Sequence, residues 1–122
     1  MTEREQQKLV DYLEHILQAI ERIESYTEDL NELGFLENNL VQDAVIRNFE
    51  IIGEASHNLE SRFPQFAAAH PELPLAVAYQ MRNSVAHGYF KVDLEIVWKT
   101  LNNDLAELYG LVQTALLGLH TA

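Results

Sequence analysis

The stretch Arg82-Asn83-Ser84-Val85-Ala86-His87-Gly88-Tyr89 gathers a fixed cation, an imidazole and a phenol in one short segment. Arginine is always charged and presents a fork of donors matched to phosphate oxygens. Histidine can both take and give a proton near neutrality. The pair suits cleavage of a phosphodiester without a metal, with His87 moving the proton and Arg82 holding the developing negative charge. The plainer alternative is a histidine that caps carbonyls at a helix end, beside an arginine in a surface ion pair.

Spacing limits how the pair can work. In a continuous α-helix, five residues place Arg82 and His87 roughly 140° apart around the axis. Asn83 and His87, at i and i+4, share a face. Asn83 can therefore orient the imidazole through one ring nitrogen and leave the other free for proton transfer. Arg82 reaches His87 by one of two routes: the helix unwinds near Gly88, or two copies of the motif converge across a dimer. Tyr89 reads either as a packed lid over the core or, being close to His87, as a substrate contact or modification site.

A second cluster runs from Gln42-Asp43-Ala44-Val45-Ile46-Arg47 through Glu50 to Gly53-Glu54-Ala55. Arg47 and Glu50 lie at i and i+3, Glu50 and Glu54 at i and i+4, so all can face one way. Paired carboxylates can hold a metal or do acid–base work, but an ion pair with Arg47 or Arg82 is the favoured reading. A helical glycine costs about 1 kcal/mol relative to alanine, so Gly53 marks a close helix crossing. His15, His57, His70 and His120 show no metal-site spacing, and neither HExxH nor clustered Cys/His ligands occur. Ser84 has no suitable acid nearby in sequence to act as a nucleophile. Neither a metal site nor a cofactor is expected.

The elements that must carry these residues are helical nearly throughout. Leu9, Leu13, Ile16, Ile20, Ile23, Thr27 and Leu30 recur at spacings of four and three, one stripe of a long amphipathic helix. Thr2 and Glu5 have capping-box spacing at its start. Asn31 to Asn39 reads as a turn. A second helix follows with Val41, Val45, Phe49, Ile52, Ala55 and Leu59 inward, ending near Phe63-Pro64. A short helix around Phe66 to Ala69 bridges to a third, opened by Pro74, bearing Val77, Ala78, Met81 and Val85, and stopped at Gly88. Asp93 caps a fourth long helix with the stripe Leu94, Val97, Leu101, Leu105, Leu108, Val112, Ala115 and Leu119. The expected fold is all-α, an up-and-down bundle of four main helices plus a short connecting helix. Leu17, Ile46, Ile51 and Leu111 form either a second, oligomer-forming face or a wider core stripe.

At 122 residues the chain reads as one domain, 1–122. It has no cysteine, its N-terminus lacks an apolar signal region, and no apolar run approaches the ~20 residues of a membrane span. A cytoplasmic protein without a membrane partner is expected. The net charge of −11 argues against a broad nucleic-acid surface, because phosphate neutralisation supplies most of such affinity. Any RNA contact must be local, in a cleft where a few cations meet. DNA binding is not expected.

The motif residues, with Gln42 to Arg47, Ile51-Ile52-Gly53-Glu54-Ala55, Arg82-Asn83, Val85 to Phe90, Val92-Asp93 and Val97-Trp98, resemble the HepT toxins of the HEPN superfamily. The resemblance spans nearly the whole chain, with one departure at Leu75, where the family often has tryptophan after the proline. It implies a metal-independent ribonuclease acting as a homodimer, with both motifs lining one cleft. It also implies a cognate MntA-like minimal nucleotidyltransferase antitoxin that transfers AMP onto the motif tyrosine. Carried over by position, Arg82 and His87 are catalytic, Asn83, Arg47 and Glu54 are supporting, and Tyr89 is the adenylylation site. The leading expectation is thus the toxin of a type VII-like toxin–antitoxin pair. The alternative is a non-enzymatic helical partner, or substrate subunit, of a nucleotidyltransferase.

Overall fold

Helical propensity and capping chemistry start most elements of the computed structural model, which describes residues 1–87 and 93–121, the side chains of 83–87 and 121 excepted. Seven helices lie among the described residues, with no strand. α1 (Glu3–Thr27) begins at the expected capping box, the Thr2 hydroxyl accepting from the Glu5 backbone N–H while the Glu5 carboxylate accepts from Thr2. α2 (Glu32–Leu36) occupies the segment expected as a turn. Asn31 caps it by accepting from the Gly34 N–H, and the Gln42 amide donates to the Phe35 and Leu36 carbonyls, fastening it to α3.

α3 (Asn39–Arg62) is capped by Asn38 and leads through Phe63 into α4 (Pro64–Ala69). α5 (Leu75–His87) follows Pro74, whose carbonyl accepts the first helical bond from Ala78. Asp93 starts α6 (Leu94–Asn103) as expected, accepting from the Glu95 and Ile96 N–H groups. The expected single last helix is broken at Asp104, and α7 (Leu105–Thr121) continues the stripe. The break falls in the polar run Asn102-Asn103-Asp104, where the Asn102 side chain competes for the Trp98 carbonyl. Gly88, the expected stop of α5, lies outside the described residues.

The core forms where α1 and α3 pack together, with α7 against α1 and α5 against α3. Leu9, Leu13, Ile16, Ile20 and Ile23 are buried against Val45, Phe49, Ile52, Ala55 and Leu59, joined by Val97, Leu105, Leu108, Val112 and Ala115. Burying each such large aliphatic side chain contributes roughly 1.5–3 kcal/mol relative to leaving it in water. Leu17, Ile51 and Leu111 are half-buried against this core, the wider-stripe reading for those three. Val77 is 65% exposed. α5 rests on α3 along one side, and Val77 lies off that line. No helix among the described residues is long and apolar enough to cross a membrane.

Candidate active site

Arg82 is positioned by a missing side chain on the neighbouring helix. A Cβ built on Gly53 of α3 would overlap the Arg82 Cβ, lie 2.8 Å from its Cγ, and lie 3.1 Å from the Ala78 carbonyl oxygen. Only glycine lets the two backbones approach this closely. The crossing expected from the sequence is thus present, and its partner is the motif arginine itself. One turn along α3, the His57 ring stacks on Tyr79 of α5 at 4.2 Å and 22°, bracing the same helix pair.

The polar ends of these side chains pair as the sequence favoured. Arg82 Nε lies 3.7 Å from Glu54 Oε2, and Arg47 Nη1 lies 3.6 Å from Glu50 Oε2. The two carboxylates therefore each face an arginine. Both pairs are partly exposed, so each is a modest contact that leaves the arginine beside its carboxylate.

These groups border a cleft of about 370 Å³ between α1, α3 and α5, lined by Tyr12, His15, Arg47, Glu50, Ile51, Glu54, Ala55, Asn58 and Arg82. The structure thus gathers Arg82, Arg47 and Glu54 in one place. The side chains of Asn83 and His87, and all of Tyr89, lie outside the described residues. The backbone is nevertheless helical from Leu75 through His87. Five residues of unbroken helix keep Arg82 and His87 roughly 140° apart, and no unwinding precedes His87.

Tyr12, His15 and Asn58 were not singled out as cleft residues from the sequence. Tyr12 and His15 lie one turn apart on α1, beside its core stripe, and that off-stripe aromatic pair was the one local signal available. Asn58 gave none, because what sets it in the cleft is the approach of α1 and α5 to α3, which its sequence neighbours do not reveal.

The chain is thus an all-helical bundle with an arginine-bearing cleft where α5 crosses α3. Residues 16–115 match the family described as Ribonuclease HepT-like, and the chain belongs to that family. Over 100 residues it is 44% identical to a protein of Thermococcus cleftensis named a probable ribonuclease HepT, covering 82% of this chain and 88% of that one. It is 34% identical over 97 residues to a Caldanaerobacter subterraneus protein named an RNase provisionally, covering 80% of this chain and 84% of that one. A longer protein of Methanocaldococcus jannaschii, named for γ-glutamylcyclotransferase and, provisionally, RNase activity, is 41% identical over 97 residues, 80% of this chain and 42% of its own length. No solved structure gives a significant match.

Proposed function

We propose that this chain is the toxin of a toxin–antitoxin pair, a ribonuclease that cuts RNA without a metal at a site built from Arg82 and His87. Membership of the Ribonuclease HepT-like family makes it a ribonuclease. The observation that carries the site is the placement of Arg82, held at the Gly53 crossing and oriented by Glu54 at a polar cleft.

In this mechanism His87 accepts the proton of the RNA 2′-hydroxyl, and that oxygen attacks the adjacent phosphorus. The bond to the 5′-oxygen of the next nucleotide breaks, leaving a 2′,3′-cyclic phosphate and a 5′-hydroxyl once that oxygen gains a proton. Arg82 stabilises the extra negative charge on the pentavalent transition state. Asn83 orients the imidazole, and Glu54 keeps the guanidinium in place. The helical separation of Arg82 and His87 supports a homodimer in which two motifs converge, each chain completing the other's site.

Regulation follows from Tyr89, two residues beyond His87 in the chain. AMP on its hydroxyl puts an anionic phosphate where the RNA phosphate must bind, so a nucleotidyltransferase antitoxin of the MntA-like kind silences the enzyme by this transfer. Arg82→Ala and His87→Ala should each abolish RNA cleavage and growth inhibition while circular dichroism and assembly stay unchanged, and EDTA should leave cleavage intact. Cleavage that survives His87→Ala, or is lost with EDTA, overturns the mechanism. Incubation with the cognate nucleotidyltransferase, ATP and Mg²⁺ should add AMP mass that peptide mapping places on Tyr89 and that Tyr89→Phe prevents. An adduct elsewhere, or modified protein that cuts at the unmodified rate, overturns the regulation.

A further inference from the structure

The cleft at Arg82 is walled by groups that the Arg–His chemistry does not use. From α1, Tyr12 and His15 border it, their rings meeting edge to face at 6.3 Å. The Phe63 ring meets Tyr12 edge to face as well, also at 6.3 Å. From α3, Arg47 and Asn58 also line it, beside Glu50 and Glu54. A hollow of about 370 Å³ falls in the range of sites that enclose a small ligand. On a chain of net charge −11 it is also a local exception, since two arginines face it and its two carboxylates are each engaged by one of them.

We propose that this cleft is a single-nucleotide subsite for the RNA strand beside the scissile phosphate. The base stacks on one ring of the Tyr12–His15 pair with the other ring at its edge, Arg47 takes the neighbouring backbone phosphate, and Asn58 hydrogen-bonds the base edge. The proposal rests on the ribonuclease reading and adds to it the form of the substrate. Proteins that recognise single-stranded RNA stack splayed-out bases on aromatic rings and read their edges with polar side chains. A paired base cannot enter such a hollow without leaving its stack, so the subsite selects single-stranded RNA. Arg47 is free to turn to a phosphate because its 3.6 Å contact with Glu50 is an exposed pair worth little in water.

The test joins steady-state cleavage of a single-stranded RNA to direct binding of a 2′-O-methylated single-stranded hexanucleotide, which cannot be cut through its 2′-oxygen. His15→Ala, on an exposed position, and Tyr12→Leu should each raise KM about five- to twentyfold while kcat stays within about twofold. Asn58→Ala should flatten the base preference at one position next to the cut and at no other. In the parent protein the hexanucleotide should shift the His15 ring and Asn58 amide resonances, and the same sequence as a duplex should not. Cleavage with unchanged KM and base preference in all three variants overturns the subsite while leaving the ribonuclease reading intact. Hexanucleotide shifts at His15 and Asn58 without any cleavage uphold the subsite and overturn the mechanism. Absence of both cleavage and shifts overturns both.

Discussion

The α3–α5 pair lines two hollows, one bearing arginines and the other more apolar and without them. On one flank the cleft of about 370 Å³ is bordered by Arg47, Glu50, Glu54 and Arg82. On the other, a groove of about 510 Å³ is lined by Phe49, Ile52, Val77, Met81, Leu105 and Leu108, with Glu72 and Asp104 at its edge. α5 is therefore seated along one line of contact on α3 and is not enclosed on every side. Its most discriminating contact is the one at Gly53. Changes on the cleft flank should act on chemistry, and changes on the groove flank should act on stability alone.

The sharpest way to break this division is Gly53→Val. The new side chain meets Arg82 Cβ and the Ala78 carbonyl, one of which is backbone and cannot swing away. The two helices must separate, costing about 3 kcal/mol or more and displacing Arg82, so cleavage should vanish. Chemical denaturation and an RNA cleavage assay check both parts. Full activity in a stable Gly53→Val protein would mean that the crossing does not place the arginine.

Leu105→Ala probes the opposite flank. Leu105 is buried at the start of α7 and lines the groove, so its loss should cost about 2–3 kcal/mol. Cleavage per folded molecule should hold at the parent rate at temperatures well below the new melting point. A fall in kcat would show that the groove flank is coupled to the cleft.

What was legible in the sequence divides along the same lines. The α1 and α3 stripes were readable because a helix of period 3.6 must repeat its buried residues at spacings of three and four, and Leu13 through Ile23 fall where that rule puts them. Gly53 and its neighbouring carboxylates were readable too, since a helical glycine needs a reason and i, i+3 and i+4 neighbours touch. The break at Asp104 escaped because the apolar stripe runs through it, and helix α2 because a five-residue helix has too few turns to show a period. The exposure of Val77 was not legible, because apolar spacing tells which residues share a face, without telling whether a neighbouring helix covers it. The assembly of Tyr12, His15 and Asn58 with Arg82 was out of reach, because it depends on how α1 meets α3.

Glu54→Gln sharpens the comparison with a smaller change. The carboxylate is more than half exposed, so removing its charge should cost no more than about 1 kcal/mol of stability. Arg82 would nonetheless lose a carboxylate beside its guanidinium, and in the proposed mechanism small misplacements of that group are expensive. We expect kcat to fall about tenfold with the melting temperature nearly unchanged. An unchanged kcat would make the pair a surface ornament.

The smallest expected effect belongs to Glu72, on the groove edge. Its carboxyl is held below the ordinary value of 4.5, first by a hydrogen bond from its own backbone N–H and then by the His70 side chain, whose Nδ1 lies 3.0 Å from Oε1. A carboxyl with a lowered pKa in the folded state contributes stability above its unfolded pKa and loses it as pH falls through the folded value. Glu72→Gln should therefore lower the melting temperature slightly at pH 7, and the gap from the parent should close as the pH is brought well below 4.5. Cleavage at pH 7 should not change, because Glu72 borders the groove and not the cleft. Thermal melts across pH, run beside cleavage assays at pH 7, read both parts. A gap that widens in acid would contradict the carboxylate's assigned role, and a loss of cleavage would join the two flanks that the α3–α5 crossing divides.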